Sequence, residues 1–481
     1  MSGFSWTGEE VERALELGAG SAHGCIFTGI STDTRKIGPG SLFVALRGDS
    51  FDGHDYLRQA LESGAAGAVV SRIPDDAPRG LRCFVVRDTL EALGRLGRHR
   101  RRALSAPVVA VAGSNGKTTT KDLLRASLSP RFRVHATEGN LNNQVGVPLT
   151  LLAAPDDAEV LVVEVGTNEP GEIAILGAIV EPDLALITSI GEEHLEGLGS
   201  VEGVLEEELS ILPAIRPGGA AFVAEEPAAL PERARGIVGV DRLRVAGFGE
   251  GADLTVDGGM EGIEVLPNGA TRWSFRGTRI ELPLPGRHNV RNALLALGVA
   301  AELGVATEDS ARGIAAMPSP KMRSEWRRVG TLGVLADCYN ANPPSTLAAV
   351  DLLASLPSTG EKVAIVGTMR ELGAHGESLH RSVAEAIVAR MGEGIDRVVA
   401  TGDFVAAFAG IDSLDADRVI AMEDPLEAYE RLRPALKGDE TILLKGSRGV
   451  ALERLIPLLE RDFAQNEGSG EAEPSTAHVG A

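Results

Sequence analysis

The run Gly113-Ser114-Asn115-Gly116-Lys117-Thr118-Thr119 holds the residue types that phosphate chemistry needs, at the spacing it needs. Gly113 and Gly116 allow a turn tight enough for successive backbone N–H groups to converge on an anion. Lys117 adds a positive charge, and the Thr118 hydroxyl can ligate Mg²⁺. The full P-loop pattern has a further glycine five residues before Gly116, where this chain has Val111, so the run is a compact variant. A glycine turn that binds nothing is the plain alternative. The spacing favours ATP with Mg²⁺.

Other residues suggest chemistry less sharply. Glu164 closes the apolar run from Val160, and a lone acid in a buried strand is costly unless it ligates metal or is paired. It is read as an Mg²⁺ ligand, with a structural ion pair as the alternative. His194 follows the apolar stretch Leu184–Ser189, at the strand end where doubly wound sheets place ligands; a capping role is the alternative. Asn289 and Asn292, three apart, share one helix face and could read an adenine edge. Asn140-Leu-Asn-Asn143 packs three amides into one turn. Ser31-Thr-Asp-Thr-Arg35 would suit a pyrophosphate or a uracil edge, and would suit an ordinary capping turn equally well.

Alternating strands and helices must position these groups. Val108–Ala112 reads as a buried parallel strand, with a helix opening at Lys117. Arg133–Ala136, Val160–Gly166 and Leu184–Ser189 supply further strands, whereas 218–285 reads only as short strands and turns. Upstream, strands at Ser41–Leu46 and Ala65–Val70 flank a helix at Tyr56–Ser63. Beyond a Pro318-Ser-Pro320 hinge, strands near 333, 362, 397 and 441 form another α/β unit. The expected organisation is therefore α/β with three domains, 1–102, 103–320 and 321–464. A Gly-, Ser-, Glu- and Pro-rich tail, 465–481, is expected to be disordered.

A net charge of −21 argues against a general nucleic-acid binder, and Arg98-His-Arg-Arg-Arg102 reads as a solvated helix end. Three scattered cysteines argue against a disulfide framework or a zinc site. Ile173–Ile190 is broken by Glu181-Pro-Asp183 and cannot span a bilayer, and no secretory pattern opens the chain. A cytoplasmic, monomeric enzyme with no membrane insertion is expected.

Taken together, the motifs resemble the Mur ligases, ATP-dependent enzymes that add amino acids to the peptidoglycan precursor. The resemblance rests on Gly113–Thr119, Asn140–Asn143 with Gly146 and Pro148, and Glu164 with Gly171-Glu172. It continues through His194-Leu-Glu-Gly-Leu-Gly-Ser200, Gly286-Arg-His-Asn-Val-Arg-Asn292 and Lys445-Gly-Ser-Arg448. It implies a small uridine-nucleotide domain, a central P-loop ATPase domain and a Rossmann-like C-terminal domain. Asp337-Cys-Tyr-Asn-Ala-Asn-Pro-Pro-Ser345 looks like the branch that adds D-alanyl-D-alanine to a UDP-N-acetylmuramoyl-tripeptide, and no Asp-Asn-Pro-Arg motif of the diaminopimelate- or lysine-adding branch is present. Another Mur-type or folylpolyglutamate-synthetase-like ligase, or a non-catalytic ATPase, is the alternative.

The resemblance also assigns roles. It puts Ser31, Asp33, Thr34 and Arg35 on the uridine nucleotide, with Asn143, Asn340, Ser447 and Arg448 as further substrate contacts. Arg448, beside Ser447, is the candidate for the dipeptide carboxylate. Asn289 and Asn292 would hold adenine, Arg323 the γ-phosphate and Asp337 the ribose. Thr118 and Glu164 would hold one Mg²⁺, and Glu164 or its neighbours with His194 a second. Departures from the family pattern are Thr368, where Gly-Asp-Met-x-Glu-Leu-Gly has aspartate, and a missing methionine near the end of Lys445–Glu453. A third is Glu208, at the place of a lysine carbamylated in most members. On a helix over 203–215, Glu208 would share the inward face with Val204, Ile211 and Ile215, while Glu206 points away, so Glu208 is expected near the second Mg²⁺, with a helix-face glutamate at the boundary of the core as the alternative.

Overall fold

Val108–Ala112, five buried residues without a polar side chain, forms an inner strand of a six-stranded, wholly parallel sheet. Across that sheet the order is Leu243–Ala246, Ala220–Ala224, Leu184–Ile187, Val108–Ala112, Val160–Glu164 and Val134–Ala136. The first strand of this sheet in chain order therefore lies inside, with later strands on both sides. That arrangement creates a switch point at its carboxyl end, where the phosphate run begins. Two of these strands, Ala220–Ala224 and Leu243–Ala246, come from the stretch 218–285 that sequence patterning read only as short strands and turns.

This computed structural model describes all residues except 1–4, 19–22, 49, 267, 319, 412–414 and 465–481. The expected tail and the middle of the Pro318–Pro320 hinge thus lie outside the described residues. The chain forms two compact units: Met1–Glu264 with Arg272–Leu282 and Arg287–Met317, and Val265–Thr271 with Pro283–Gly286 and Pro318–Ala481. The region expected as the N-terminal domain falls in the first, as does most of the expected central domain, of which 265–271, 283–286 and 318–320 go with the second. Among the described residues, no helix is long and apolar enough to cross a membrane.

At the N-terminal end, Ile30–Ser31, Leu42–Val44, Gly67–Val70 and Arg82–Val85 make a four-stranded parallel sheet. The helix Thr89–Ala103, capped by Asp88, joins it to the central sheet. Gly94 lies against Ile179 and Gly97 against the Pro148 backbone; a Cβ at Gly97 would stand 2.8 Å from Pro148 Cα. Arg100 and Arg101 on this helix are buried, not solvated as the basic run suggested. Arg100 donates to the Ala154 carbonyl and pairs with Asp156. Arg101 donates to the carbonyls of Val180 and Glu181 and pairs with Asp183 at 2.7 Å. Asp183 also accepts the Val108 N–H at 2.8 Å, so the clamp grips the base of the strand that carries the phosphate run. A buried guanidinium is costly unless its donors are met, and for Arg101 the carbonyls at the end of the helix Glu172–Val180 together with Asp183 meet them.

The second unit carries a mixed sheet in the order Glu325–Val329, Leu332–Asp337, Thr441–Lys445, Lys362–Val366, Arg397–Ala400 and Val419–Ala421. Only Glu325–Val329 is antiparallel to its neighbour. The chain order again switches sides within it. The loops after Asp337, Val366 and Lys445 consequently share one edge.

Arg101→Leu removes the buried cation from Asp183 and the guanidinium donor from two helix-end carbonyls. A loss of about 3 kcal/mol is expected, the size typical of breaking a buried pair. Chemical denaturation of the variant followed by tryptophan fluorescence would show it, and a loss below about 1 kcal/mol would mean that the clamp behaves as a surface pair.

Candidate active site

Three residues of the next parallel strand's exit loop, Thr188, Ser189 and Gly191, hold the phosphate turn in shape. Ser114 N–H donates to the Ser189 carbonyl (2.8 Å) and Asn115 N–H to Ser189 Oγ (2.9 Å). Thr188 Oγ1 donates to the Asn115 carbonyl, and Gly191 N–H donates to Ser114 Oγ. Gly113 and Gly116 both have positive φ, and neither has room for a side chain. A Cβ on Gly113 would meet the Thr188 N at 2.7 Å, and one on Gly116 would meet Asn292 Nδ2 at 2.9 Å. The helix Lys117–Leu128 starts directly after Gly116, so the N–H groups of Lys117, Thr118 and Thr119 have no carbonyl four residues back within it. Those donors, aligned with the helix dipole, suit an anion.

Charge gathers around Lys117. Its ammonium donates to the carbonyls of Gly113 and Ser114 and lies 3.4 Å from Glu193. Burial alone would lower its pKa, but the carboxylates of Glu193, Glu208 and Glu164 more than offset that and hold it above the ordinary lysine value. Glu193 also pairs with His194 Nε2 at 2.9 Å. Glu164 accepts from Thr118 Oγ1 (3.2 Å) and Asn142 Nδ2 (3.0 Å), and Lys121 Nζ stands 4.0 Å from its other oxygen. That other oxygen, Oε2, is buried and has no hydrogen-bond partner.

Mg²⁺ fits this donor set. A hydroxyl, a carboxylate and one under-used buried oxygen are what a cation needs when phosphates and water complete its octahedron. Among the described residues no three His, Cys, Asp or Glu side chains converge as a metal cage. Glu164, His194 and Glu208 therefore do not form a protein-only site.

Glu208 is buried, and its Oε2 accepts the Gly113 N–H at 2.7 Å. The helix that carries it, Val201–Leu209, is shorter than expected and gives way to a turn at Leu212–Ala214. Val204, Ile211 and Ile215 are buried as expected, and Glu206 pairs with Arg233 at the surface. Glu207, however, is inward too: it accepts from Gly171 N–H and Ile173 N–H, both at 2.7 Å, and so caps the helix Glu172–Val180. Burial pushes the Glu208 carboxyl up to about 7, opposed by the Lys117 charge.

Several sequence candidates occupy places their motifs did not reveal. Asn292 lies against Gly116 and donates to Asn289 Oδ1 (3.3 Å), so this pair supports the phosphate turn. Asn143 caps the helix Gly146–Leu152 through the N–H groups of Val145 and Gly146; its neighbour Asn142 is the amide on Glu164. Asp33 binds Arg35 at 2.9 Å and caps the Thr34–Lys36 turn, while Ser31 Oγ donates to the Asp33 carbonyl. This bond to Arg35 draws the Asp33 carboxyl down to about 2. In the second unit, Arg323 stacks on the Tyr339 ring at 4.0 Å, between left-handed Met322 and Ser324. Asp337 accepts from Lys445 Nζ (2.8 Å) and Ser324 N–H (2.9 Å), and Lys445 also donates to the Asn340 carbonyl. Ser447 Oγ accepts the Arg370 N–H, and Arg448 pairs with Glu453 at 2.6 Å. Sequence reading missed Glu193, Lys121 and Asn142. Glu193 and Lys121 sit one or two residues from a motif position, Asn142 is one of the three amides of the Asn140–Asn143 turn, and only the fold turns each of them inward.

A phosphate turn on a parallel sheet, with a hydroxyl–carboxylate pair beside it, defines an ATP-using α/β enzyme. Family comparison narrows the class. Residues 26–101 match "Mur ligase family, catalytic domain", 111–300 match "Mur ligase middle domain", and 322–448 match "Mur ligase, glutamate ligase domain". The chain belongs to the Mur ligase family. It is 35% identical over 437 residues to the UDP-N-acetylmuramoyl-tripeptide–D-alanyl-D-alanine ligase of Bacillus subtilis (strain 168), covering 90% of this chain and 93% of that one. The crystal structure of MurF from Acinetobacter baumannii superposes with a TM-score of 0.85 at 31% identity, covering 96% of this chain and all of that one. MurF ligase from Thermotoga maritima in complex with ADP gives 0.78 at 27% identity, covering 90% and 97%.

Glu208 predicts a pH effect on stability. With its pKa raised to about 7, the folded state keeps a proton that the unfolded chain has already released. Its contribution is therefore full below about pH 4.5 and lost as pH rises through about 7. In nucleotide-free buffer with a chelator, Tm should fall less between about pH 5 and 8 for Glu208→Gln than for the parent. Parallel declines would show that Glu208 is ionised in the fold throughout.

Proposed function

We propose that this enzyme joins D-alanyl-D-alanine to UDP-N-acetylmuramoyl-tripeptide, with ATP cleaved to ADP and phosphate. The observation that carries this reading is the near end-to-end match to D-alanyl-D-alanine ligases, N-terminal region included. A carboxylate does not accept an amine at neutral pH, because its oxygen is too poor a leaving group. The peptide carboxylate therefore attacks the γ-phosphate, forming an acyl phosphate and releasing ADP. The dipeptide amine then attacks the acyl carbon, and phosphate leaves from a tetrahedral intermediate.

The first step brings two anions together, and the residues of this chain answer that demand. Lys117 and the N–H groups of the helix start would hold the phosphates. Thr118 and Glu164 would hold Mg²⁺, which supplies charge neutralisation at the phosphate oxygens. Asn142 and Lys121 orient Glu164 for this, and Glu193 does the same for His194, the candidate at a second Mg²⁺. Glu208 supplies a carboxylate of the chain itself where relatives use a carbamate, so no CO₂ is needed there. Asn289 and Asn292 keep the adenine assignment. Arg323 and Asp337, in the second unit, are assigned to the γ-phosphate and the ribose. The region 1–102, with Ser31, Asp33, Thr34 and Arg35, is assigned to the uridine nucleotide.

ADP release measured with the nucleotide tripeptide, with and without D-alanyl-D-alanine, tests the reaction. It should depend on both substrates. Lys117→Ala should lower turnover by two to three decades, since one lost transition-state charge contact costs about 3–4 kcal/mol; turnover within threefold of the parent would sink the assignment. Arg35→Ala should raise the KM for the nucleotide tripeptide and leave that for ATP almost unchanged. A matching rise in both would mean that the residue acts through folding.

A further inference from the structure

Three loops meet at the carboxyl edge of the second unit's sheet, after Asp337, Val366 and Lys445. The middle one, Gly367–Gly373, is pinned by its backbone. Met369 N–H donates to Nε2 of buried His380 (2.9 Å), whose Nδ1 faces the Gly376 carbonyl at 2.7 Å. Arg370 N–H donates to Ser447 Oγ (3.0 Å), and Ser447 N–H donates to the Thr368 carbonyl (3.1 Å). Ser447 Oγ in turn donates to the Ala341 carbonyl, which ties in the third loop. Arg370 thus leaves a rigid backbone at the centre of the cluster.

Its side chain is exposed, and the guanidinium lies over Gly449, where any Cβ would overlap it. No carboxylate among the described residues forms an ion pair with it. The other arginines of this edge differ. Arg448 is neutralised by Glu453 and also contacts Met322 Sδ, and Arg323 lies on the Tyr339 ring. Thr368, whose hydroxyl accepts the Asp403 N–H, keeps the loop free of the acid that the family pattern places there. A planar cation held on a fixed backbone, with its charge uncompensated, suits a carboxylate that it can meet with two parallel N–H groups.

We infer that Arg370 receives the free carboxylate of the incoming dipeptide, in place of the sequence candidate Arg448. The inference rests on the proposed reaction. In that reaction the dipeptide amine must be presented to the acyl carbon, and the carboxylate is the dipeptide's other charged end. Arg370 is thus a positioning and specificity residue for the amine substrate, apart from the phosphate chemistry.

The test compares D-alanyl-D-alanine with its C-terminal amide in the ADP-release assay, using the full chain and the Arg370→Ala and Arg370→Lys variants. A hydrogen-bonded charge contact of this kind is worth about ten- to a hundredfold in affinity. Arg370→Ala should raise the dipeptide KM by that factor, leave the KM values for ATP and nucleotide tripeptide within about twofold, and abolish the parent's preference for the acid over the amide. Arg370→Lys should restore part of that preference. The inference is overturned if Arg370→Ala keeps the acid-over-amide preference, or if Arg448→Ala removes it and Arg370→Ala does not. Absence of dipeptide-dependent ADP release in the parent would overturn the proposed reaction, and this inference with it.

Discussion

The first unit's candidate site depends on the charge cluster around the Lys117 ammonium. Three carboxylates, Glu164, Glu193 and Glu208, act on it, and the second ammonium nearby, Lys121, stands 4.0 Å from Glu164. Three negative charges against two positive ones, out of water, are an unstable set unless something else carries charge. The fold provides two outlets: Glu208 titrates near 7, and the unbonded Glu164 oxygen faces no donor of its own. An ATP site that took up Mg²⁺, as proposed above, would turn this excess to use, because the same acids that crowd one another here would attract the cation.

The rest of the first unit keeps that set in register. Gly113 and Gly116 allow the turn to approach Thr188 and Asn292 more closely than any side chain permits. The turn's own N–H groups at Gly113, Ser114 and Asn115 are bound by Glu208 and Ser189, which leaves the N–H groups of the helix start for the ligand. Below it, Arg101 and Asp183 fix the strand from its other end. Pre-organisation of this kind keeps the donors in place at the moment of reaction, which is where electrostatic catalysis derives its strength.

The second unit follows the same logic with different chemistry. Its loops are tied by Ser447, His380 and Lys445, each bonded to backbone or to Asp337, and this stiffens an edge that would otherwise be mobile. Charge there is sorted residue by residue. Lys445 and Arg448 are matched by acids, while Arg370 has no ion pair among the described residues. A loop cluster whose backbone is rigid and whose charge is selectively unmatched is suited to orienting a small, charged substrate.

Much of this was legible in the residues. The strand–glycine–helix run around Lys117 is local, and hydrophobic periodicity placed Val108–Ala112 and Lys362–Val366 where the fold has them, and the expected strand Val160–Gly166 with an end two residues beyond Glu164, because backbone geometry over a few residues follows from the residues themselves. The inward face of Glu208 was legible for the same reason: helix periodicity is a local property. Its partner was not, since Gly113 lies 95 positions away. Glu207 escaped notice because its role belongs to another helix, and Asn142 because the fold, not the motif, chooses which amide of three turns toward Glu164. Arg100 and Arg101 look like solvated charges until the ends of other helices supply carbonyls for them. Composition and short-range pattern thus determined the elements and the kind of chemistry. Tertiary structure alone decided which charges are buried, which are paired and which stay open to a ligand, because those are settled by partners distant in the chain.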